Sequence, residues 1–316
     1  MPTREDTQPA IALTRRWSHG FAWLLCTATL ALLAAGALVT GTGSSLAVPD
    51  WPLAYGELFP PLVGGILYEH GHRLVATTVG LLTILLALWL WWVEPRRWVK
   101  GLAWGALALV IVQGLLGGIT VLWLLPKPIS IGHAVFAQLF FLTTVLLMQV
   151  TAPGWERLIE TAQAPRSGRW GIVTTLALLV QLLLGATVRH NGAGLAIPDF
   201  PLAFGALVPP LGSFPIAIHF LHRVGAVVVA LLAGVTVWTA IREDATGFLR
   251  LPAAAMGLLV AVQILLGGTV IWSEKAVPIT TLHRVVGALL LAASALLTLR
   301  ALARSGGGAA LQGATR

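Results

Sequence analysis

The stretch SSLAVPDWPLAYGELFPP, residues 44–61, returns as AGLAIPDFPLAFGALVPP at residues 193–210, an offset of 149. The match extends beyond these two segments. QGLLGG from Gln113 pairs with QILLGG from Gln263, and ISIGHAVFA around His133 pairs with ITTLHRVVG around His283, both at an offset of 150. The chain is a tandem duplication of one unit. A functional residue in one copy therefore predicts a counterpart in the other.

What the unit is follows from composition. Of 316 residues, 57% are hydrophobic and 10% charged, a balance that a water-soluble domain of this size does not need. Apolar windows long enough to cross a bilayer as helices run about 20–40, 72–93, 101–123, 129–150, 170–188, 216–241, 251–272 and 279–302. The expected fold is an all-α integral membrane protein with eight transmembrane helices, arranged as two tandem pseudo-symmetric four-helix bundles. Residues 1–160 form the amino-terminal half and 161–316 the carboxy-terminal half. Four is even, so both halves share one orientation, as a parallel repeat does.

The net charge of +8 could suggest nucleic acid, but the basic residues sit in short links and form no continuous face with interleaved aromatics. The positive-inside rule accounts for them. Fourteen of the twenty Lys and Arg residues fall in the tails and in the links after the second, fourth and sixth spans. The expected location is the bacterial inner (cytoplasmic) membrane, multi-pass in lipid, with both termini cytoplasmic. The long links, about 41–71 and 189–215, then lie outside. Arg15 and Arg16 precede the first apolar run as in a signal sequence, but no convincing small-residue cleavage site follows, so the first helix is expected to stay uncleaved. The single cysteine, Cys26, excludes an intramolecular disulfide and a cysteine metal site, and reads as a small buried apolar side chain.

Four histidines occupy repeat-equivalent places, His72 with His222 and His133 with His283, each read as starting an even-numbered helix near the outer leaflet. A lone histidine at a helix end is ordinarily a hydrogen-bonded interfacial residue. Two matched pairs change that weighing, because each bundle offers one imidazole from its second helix and one from its fourth. Such a pair suits the two axial positions of a haem iron, whereas zinc asks for three or four ligands. The preferred reading is two haem pockets, one per half.

Arg73, Arg223 and Arg284 each directly follow a proposed ligand, where a guanidinium could meet a haem propionate or snorkel to the headgroups. His133 is followed instead by Ala134. The halves differ most three residues before the ligand, with Glu69 in the first and His219 in the second. One helical turn places Glu69 beside His72. In an apolar pocket its pKa would be raised, fitting it to trade protons with a reacting group; a solvated carboxylate at the helix start is the plainer alternative. Glu69 marks the first half as the reactive one.

Other polar residues carry less weight. His70 and His190 read as interfacial and His19 as a tail residue. Asp50 and Asp199, in Pro-Asp-aromatic-Pro turns, read as turn formers shaping a lid. Gln113 and Gln263 read as markers of close helix packing.

Glu69-His70-Gly71-His72-Arg73 resembles the Glu-x-x-His-Arg motif of the haem A synthases, and the resemblance covers the whole chain. It implies an enzyme that oxidises a ring methyl group of haem O to a formyl group by successive hydroxylations, giving haem A for terminal cytochrome oxidases. Carried over by residue, His222 and His283 would ligate a resident haem b, the cofactor, in the second half. His72 and His133 would bind the iron of the substrate haem O in the first half, with Glu69 catalytic. Candidate partners under this resemblance are haem O synthase, cytochrome oxidase subunit I, an electron donor that the sequence does not specify, and copies of the same chain as a homo-oligomer. Some members carry a cysteine pair in the first outer link; here that link has none.

Two rivals belong to other classes. A di-haem b-type electron-transfer cytochrome fits four histidines and eight spans equally, but gives no reason for a carboxylate in one pocket only. A transporter fits the parallel repeat, but the polar groups cluster at the outer edge instead of at helix breaks at mid-depth.

Overall fold

The computed structural model describes residues 4–155, 166–244 and 247–303. The boundary expected at 160/161 and the basic residues Arg157, Arg304 and Arg316 lie outside the described residues. A chain this rich in Leu, Ala and Val must satisfy its backbone internally in hydrocarbon, and helices do so within one segment. The helices are α1 (Arg4–Gly41), α2 (Gly64–Val93), α3 (Arg97–Leu122), α4 (Lys127–Val150), α5 (Arg166–His190), α6 (Phe214–Glu243), α7 (Arg250–Trp272) and α8 (Val277–Ala303). Among the described residues, eight segments are long and apolar enough to span a membrane, α1 from Leu13 onward. The protein is an all-α, multi-pass membrane protein.

The helices close into two rings. In the first, α1 packs on α2, α2 on α3, α3 on α4 and α4 back on α1; in the second, α5 to α8 repeat that order. The seam between rings is made by α1 against α8 and by α4 against α5 and α8. The last span is the central one, with 67% of its apolar window buried against 17 to 28% for the others. Phe141 and Val145 of α4 meet Ala288 and Ala292 of α8 there, with Cys26, Leu30 and Leu33 of α1 beside them. The alanines of α8 let its neighbours approach closely, which is how helices associate where lipid offers no hydrophobic drive. Opposite the long links, Glu94 turns the chain between α2 and α3. Its two oxygens accept from Arg96 Nε at 2.6 Å and Nη2 at 2.8 Å, and Arg96 also holds the Val150 carbonyl at the end of α4.

One boundary differs in a way that matters for the site. The second helix begins at Gly64, eight residues before the apolar window suggested. Leu-Tyr-Glu-His-Gly-His looks too polar to be embedded, yet the first long link folds over it and supplies partners for its polar groups. The proposed ligands therefore do not start their helices, as expected from the windows, but lie about two turns inside them.

Candidate functional site

His72 and His222 each stand eight residues beyond the first residue of α2 and α6, and His133 and His283 six residues beyond that of α4 and α8. At about 1.5 Å per residue that is roughly 9 to 12 Å below the helix starts. Within each ring the two imidazoles are electrostatic neighbours, His133 with His72 and His283 with His222.

Every one of the four rings rests on a glycine of the preceding odd-numbered helix. A Cβ added to Gly36 or Gly185 would stand 3.1 Å from the Cε1 of His72 or His222; one added to Gly117 or Gly267 would stand 3.4 or 3.6 Å from that of His133 or His283. These glycines are themselves repeat-equivalent. The next residue of the Gly-Gly pairs serves the links: Trp51 lies over Gly118 and Phe200 over Gly268, at 2.7 and 2.8 Å from an added Cβ. The Gln-x-Leu-Leu-Gly-Gly segments thus seat one histidine and one link aromatic each. Gln113 also donates to the His133 carbonyl at 2.9 Å, and the Gln263 amide nitrogen lies 3.4 Å from His283 Nε2.

The Nδ1 atoms of His72, His133 and His283 are buried without a hydrogen-bond partner. His222 differs, because the Gln181 amide nitrogen lies 3.0 Å from its Nδ1 and donates to its carbonyl at 2.8 Å. The residue equivalent to Gln181 in the first half is Leu32. Neighbouring imidazoles with unpartnered ring nitrogens, set on glycines that keep their flank open, fit the axial positions of a haem iron. Among the described residues no group of three or more His, Cys, Asp or Glu converges as a cage would.

The long links are built alike. Asp50 accepts from the N–H groups of Tyr55 at 2.7 Å and Gly56 at 2.8 Å, and Asp199 accepts from Phe204 and Gly205 at the same two distances. Tyr55 and Phe204 have φ of 53° and 55°, a left-handed turn held by those carboxylates. The N–H groups of Gly56 and Tyr55, and then Arg73, hold the Asp50 carboxyl below the ordinary aspartate range; Gly205, Phe204 and Arg223 do the same for Asp199.

The arginines reach the link backbones. Arg73 donates to the carbonyls of Asp50 at 2.7 Å, Leu53 at 2.8 Å and Val48 at 3.3 Å. Arg223 donates to Leu202 at 2.9 Å and Ile197 at 3.1 Å, with its guanidinium 5.7 Å from the Phe200 ring centre. Arg284 crosses the seam to the Ala37 carbonyl at 2.8 Å and the Thr40 hydroxyl.

Glu69 is only 4% exposed and both its oxygens are engaged. Oε1 takes Arg73 Nη2 at 2.7 Å and Oε2 takes the Val48 N–H at 2.8 Å. It is neither a solvated helix-start carboxylate nor alone in an apolar pocket, since a buried carboxylate requires partners. His70 is buried, its Nε2 3.0 Å from the Leu58 carbonyl. His19 is part of the helical packing rather than a tail residue, its Nδ1 3.0 Å from the Met148 carbonyl. His190 is half-buried and accepts from Arg189 at 2.6 Å. Sequence reasoning passed over the glycine seats and Gln181. Aligning the odd-numbered helices at the repeat offset, which pairs Gly36 with Gly185 and Leu32 with Gln181, would have found both. A separate cavity of about 500 Å³ opens at the α2–α3 corner, lined by residues such as Thr14, Glu94 and Trp155, and holds none of the site residues.

Fold and site together define a duplicated membrane bundle that carries one partly buried histidine pair in each unit. The chain belongs to the family of cytochrome oxidase assembly proteins, whose model matches residues 64–295. Among similar proteins is one from Alkalihalophilus pseudofirmus named heme A synthase, 32% identical over 280 residues, spanning 85% of this chain and 92% of that relative. Proteins of the same name from Symbiobacterium thermophilum and Shouchella clausii are 36% and 34% identical. These alignments cover 73% and 78% of this chain and 78% and 84% of the relatives.

Proposed function

We propose that this chain is a haem A synthase, which oxidises a ring methyl of haem O to a formyl group through successive hydroxylations and so supplies haem A for terminal cytochrome oxidase. Like named relatives along most of the chain support the activity. The observation that carries the division of labour is the break in symmetry at one position: Glu69 beside His72, His219 beside His222.

On this reading His222 and His283 hold a resident haem b, with Arg223 and Arg284 toward its propionates, and His72 and His133 hold the iron of haem O, with Arg73 beside it. When bound, an iron porphyrin would supply the redox chemistry for cleaving a methyl C–H bond, which no side chain has. The chain's own residues do the rest. The glycine seats orient the imidazoles, and Trp51 anchors the first link on Gly118 beside them. Glu69 holds or moves a proton at its carboxylate oxygens, kept in place by Arg73. The halves divide near 160. The protein lies in the bacterial inner membrane with both termini cytoplasmic, so the links and histidines sit toward the outer face. Haem O synthase, cytochrome oxidase subunit I, an electron donor and further copies of the chain are the partners this function would use.

A second reading of Glu69 has an observation of its own. The Val48 N–H donates to Glu69 and the equivalent Ile197 N–H donates to His219 Nδ1 at 3.3 Å, so the position latches the link in both halves. The deciding experiment is expression in a host that makes haem O but not haem A, followed by mass analysis of extracted pigment. The wild type yields the formyl product, and Glu69→Gln yields haem O or a hydroxylated intermediate with haem content intact. Normal haem A from Glu69→Gln leaves the carboxylate a latch alone.

A further inference from the structure

Three of the four proposed ligands have an arginine next in sequence, and His133 has Ala134. The structure fills that gap from the other half of the molecule. Arg189, in the last turn of α5, lies across the α4–α5 seam within electrostatic range of His133. His190, next to it, is in range of both His133 and Arg284.

This group is cationic, partly buried, and has no counterion among the described residues. Arg189 gives Nη2 to His190 Nε2 at 2.6 Å, but its Nε is buried with no partner. Arg284, close enough to repel it, spends Nη1 on the Ala37 carbonyl and the Thr40 hydroxyl. Among the described residues no carboxylate pairs with either guanidinium; Glu69 and Glu94 are taken by Arg73 and Arg96. A guanidinium keeps its charge, and holding two of them together partly out of water is costly until an anion joins them. Its planar fork suits a carboxylate.

We infer that Arg189, supported by His190, binds a propionate carboxylate of the porphyrin held by His72 and His133, so that the second half completes the pocket of the first. This rests on the reading of His72 and His133 as a porphyrin-binding pair. It makes the seam part of the substrate site and explains why a cation stands there although the local sequence after His133 offers none.

The test uses the full-length purified protein, titrated with iron protoporphyrin IX and with its dimethyl ester, whose carboxylates are masked, following visible absorbance. Wild type is expected to bind the free acid at least tenfold tighter than the ester. Arg189→Met should weaken the free acid by tenfold or more and leave the ester unchanged, with Arg189→Lys between. The proposal is overturned if Arg189→Met keeps the full preference for the free acid. It is also overturned if wild type binds acid and ester alike, in which case the cations serve an inorganic anion. Should His133→Ala bind added porphyrin as wild type does, the underlying pocket assignment fails, a result distinct from both. Unchanged absorbance of the pigment already bound, together with an unchanged helical circular dichroism spectrum, checks that each variant is folded.

Discussion

Glu69 and His219, equivalent positions of the two repeats, accept the same backbone N–H from their long links, Val48 at 2.8 Å and Ile197 at 3.3 Å. Only Glu69 adds an ion pair, with Arg73 at 2.7 Å. Duplication kept the latch and changed the chemistry available at it. Glu69→His, which copies the second half into the first, therefore separates the two roles. It should retain haem at wild-type stoichiometry and lose formation of the formyl product by a hundredfold or more, within the range for removing a general acid or base. Formyl production within a fewfold of wild type would assign Glu69 to the latch.

The glycine seats predict a graded series. An added methyl at Gly185 meets His222 at 3.1 Å and must displace the ring, whereas at Gly267 it meets His283 at an ordinary 3.6 Å. Overpacking of this kind costs about 1–3 kcal/mol. Gly185→Ala should lower haem content per protein, read by absorbance, more than Gly267→Ala does. Equal effects at both would mean that the seats do not position the ligands.

Gln181 touches His222 where the first half has Leu32. Groups that orient a metal-bound histidine are worth roughly 10- to 100-fold in metal affinity. Gln181→Leu should speed loss of the resident haem to an apo-haem acceptor by about tenfold, without altering the uptake of porphyrin at the other pocket. Unchanged loss would reduce the contact to packing.

The links should loosen in acid. Asp50 and Asp199 are held below the ordinary aspartate value of 3.8, first by the N–H groups of Gly56 and Gly205. A depressed folded-state pKa contributes stability that is fully present above the unfolded value and is lost as pH falls through the folded one. Amide exchange at Tyr55, Gly56, Phe204 and Gly205 should stay slow at neutral pH and gain an opening component below about pH 4. In Asp50→Asn the first link should show fast exchange at neutral pH and no such acid transition. A link that stays closed well below pH 3 would contradict the turn's dependence on its carboxylate.

Much of this molecule could be read from its residues. The recurrence of Pro-Asp-aromatic-Pro at Asp50 and Asp199 established the duplication, apolar runs located the spans, and the offset of 150 paired the histidines. What escaped the reading depended on contacts distant in sequence. The start of α2 at Gly64 was hidden because Glu69 and His70 look unsuited to burial until Val48 and Leu58 of the folded link are seen to bind them. His19 looked peripheral because its partner, Met148, is 129 positions away. The arginines looked aimed at propionates or at the headgroups, yet carbonyls of the links and of α1 face them, which no local spacing announces.

Paired imidazoles gripping a porphyrin in each half are the central claim, and the second half offers the most direct measurement because the proposed function makes its haem the resident one. His283→Ala, purified from cells supplied with haem, should lose the bound b-type pigment, seen as loss of the Soret band and of pyridine haemochrome absorbance per protein. His19→Ala, which changes a histidine outside the pairs and set against the Met148 carbonyl, should keep that resident pigment. Pigment retained by His283→Ala at wild-type amount and with an unaltered spectrum would contradict the account.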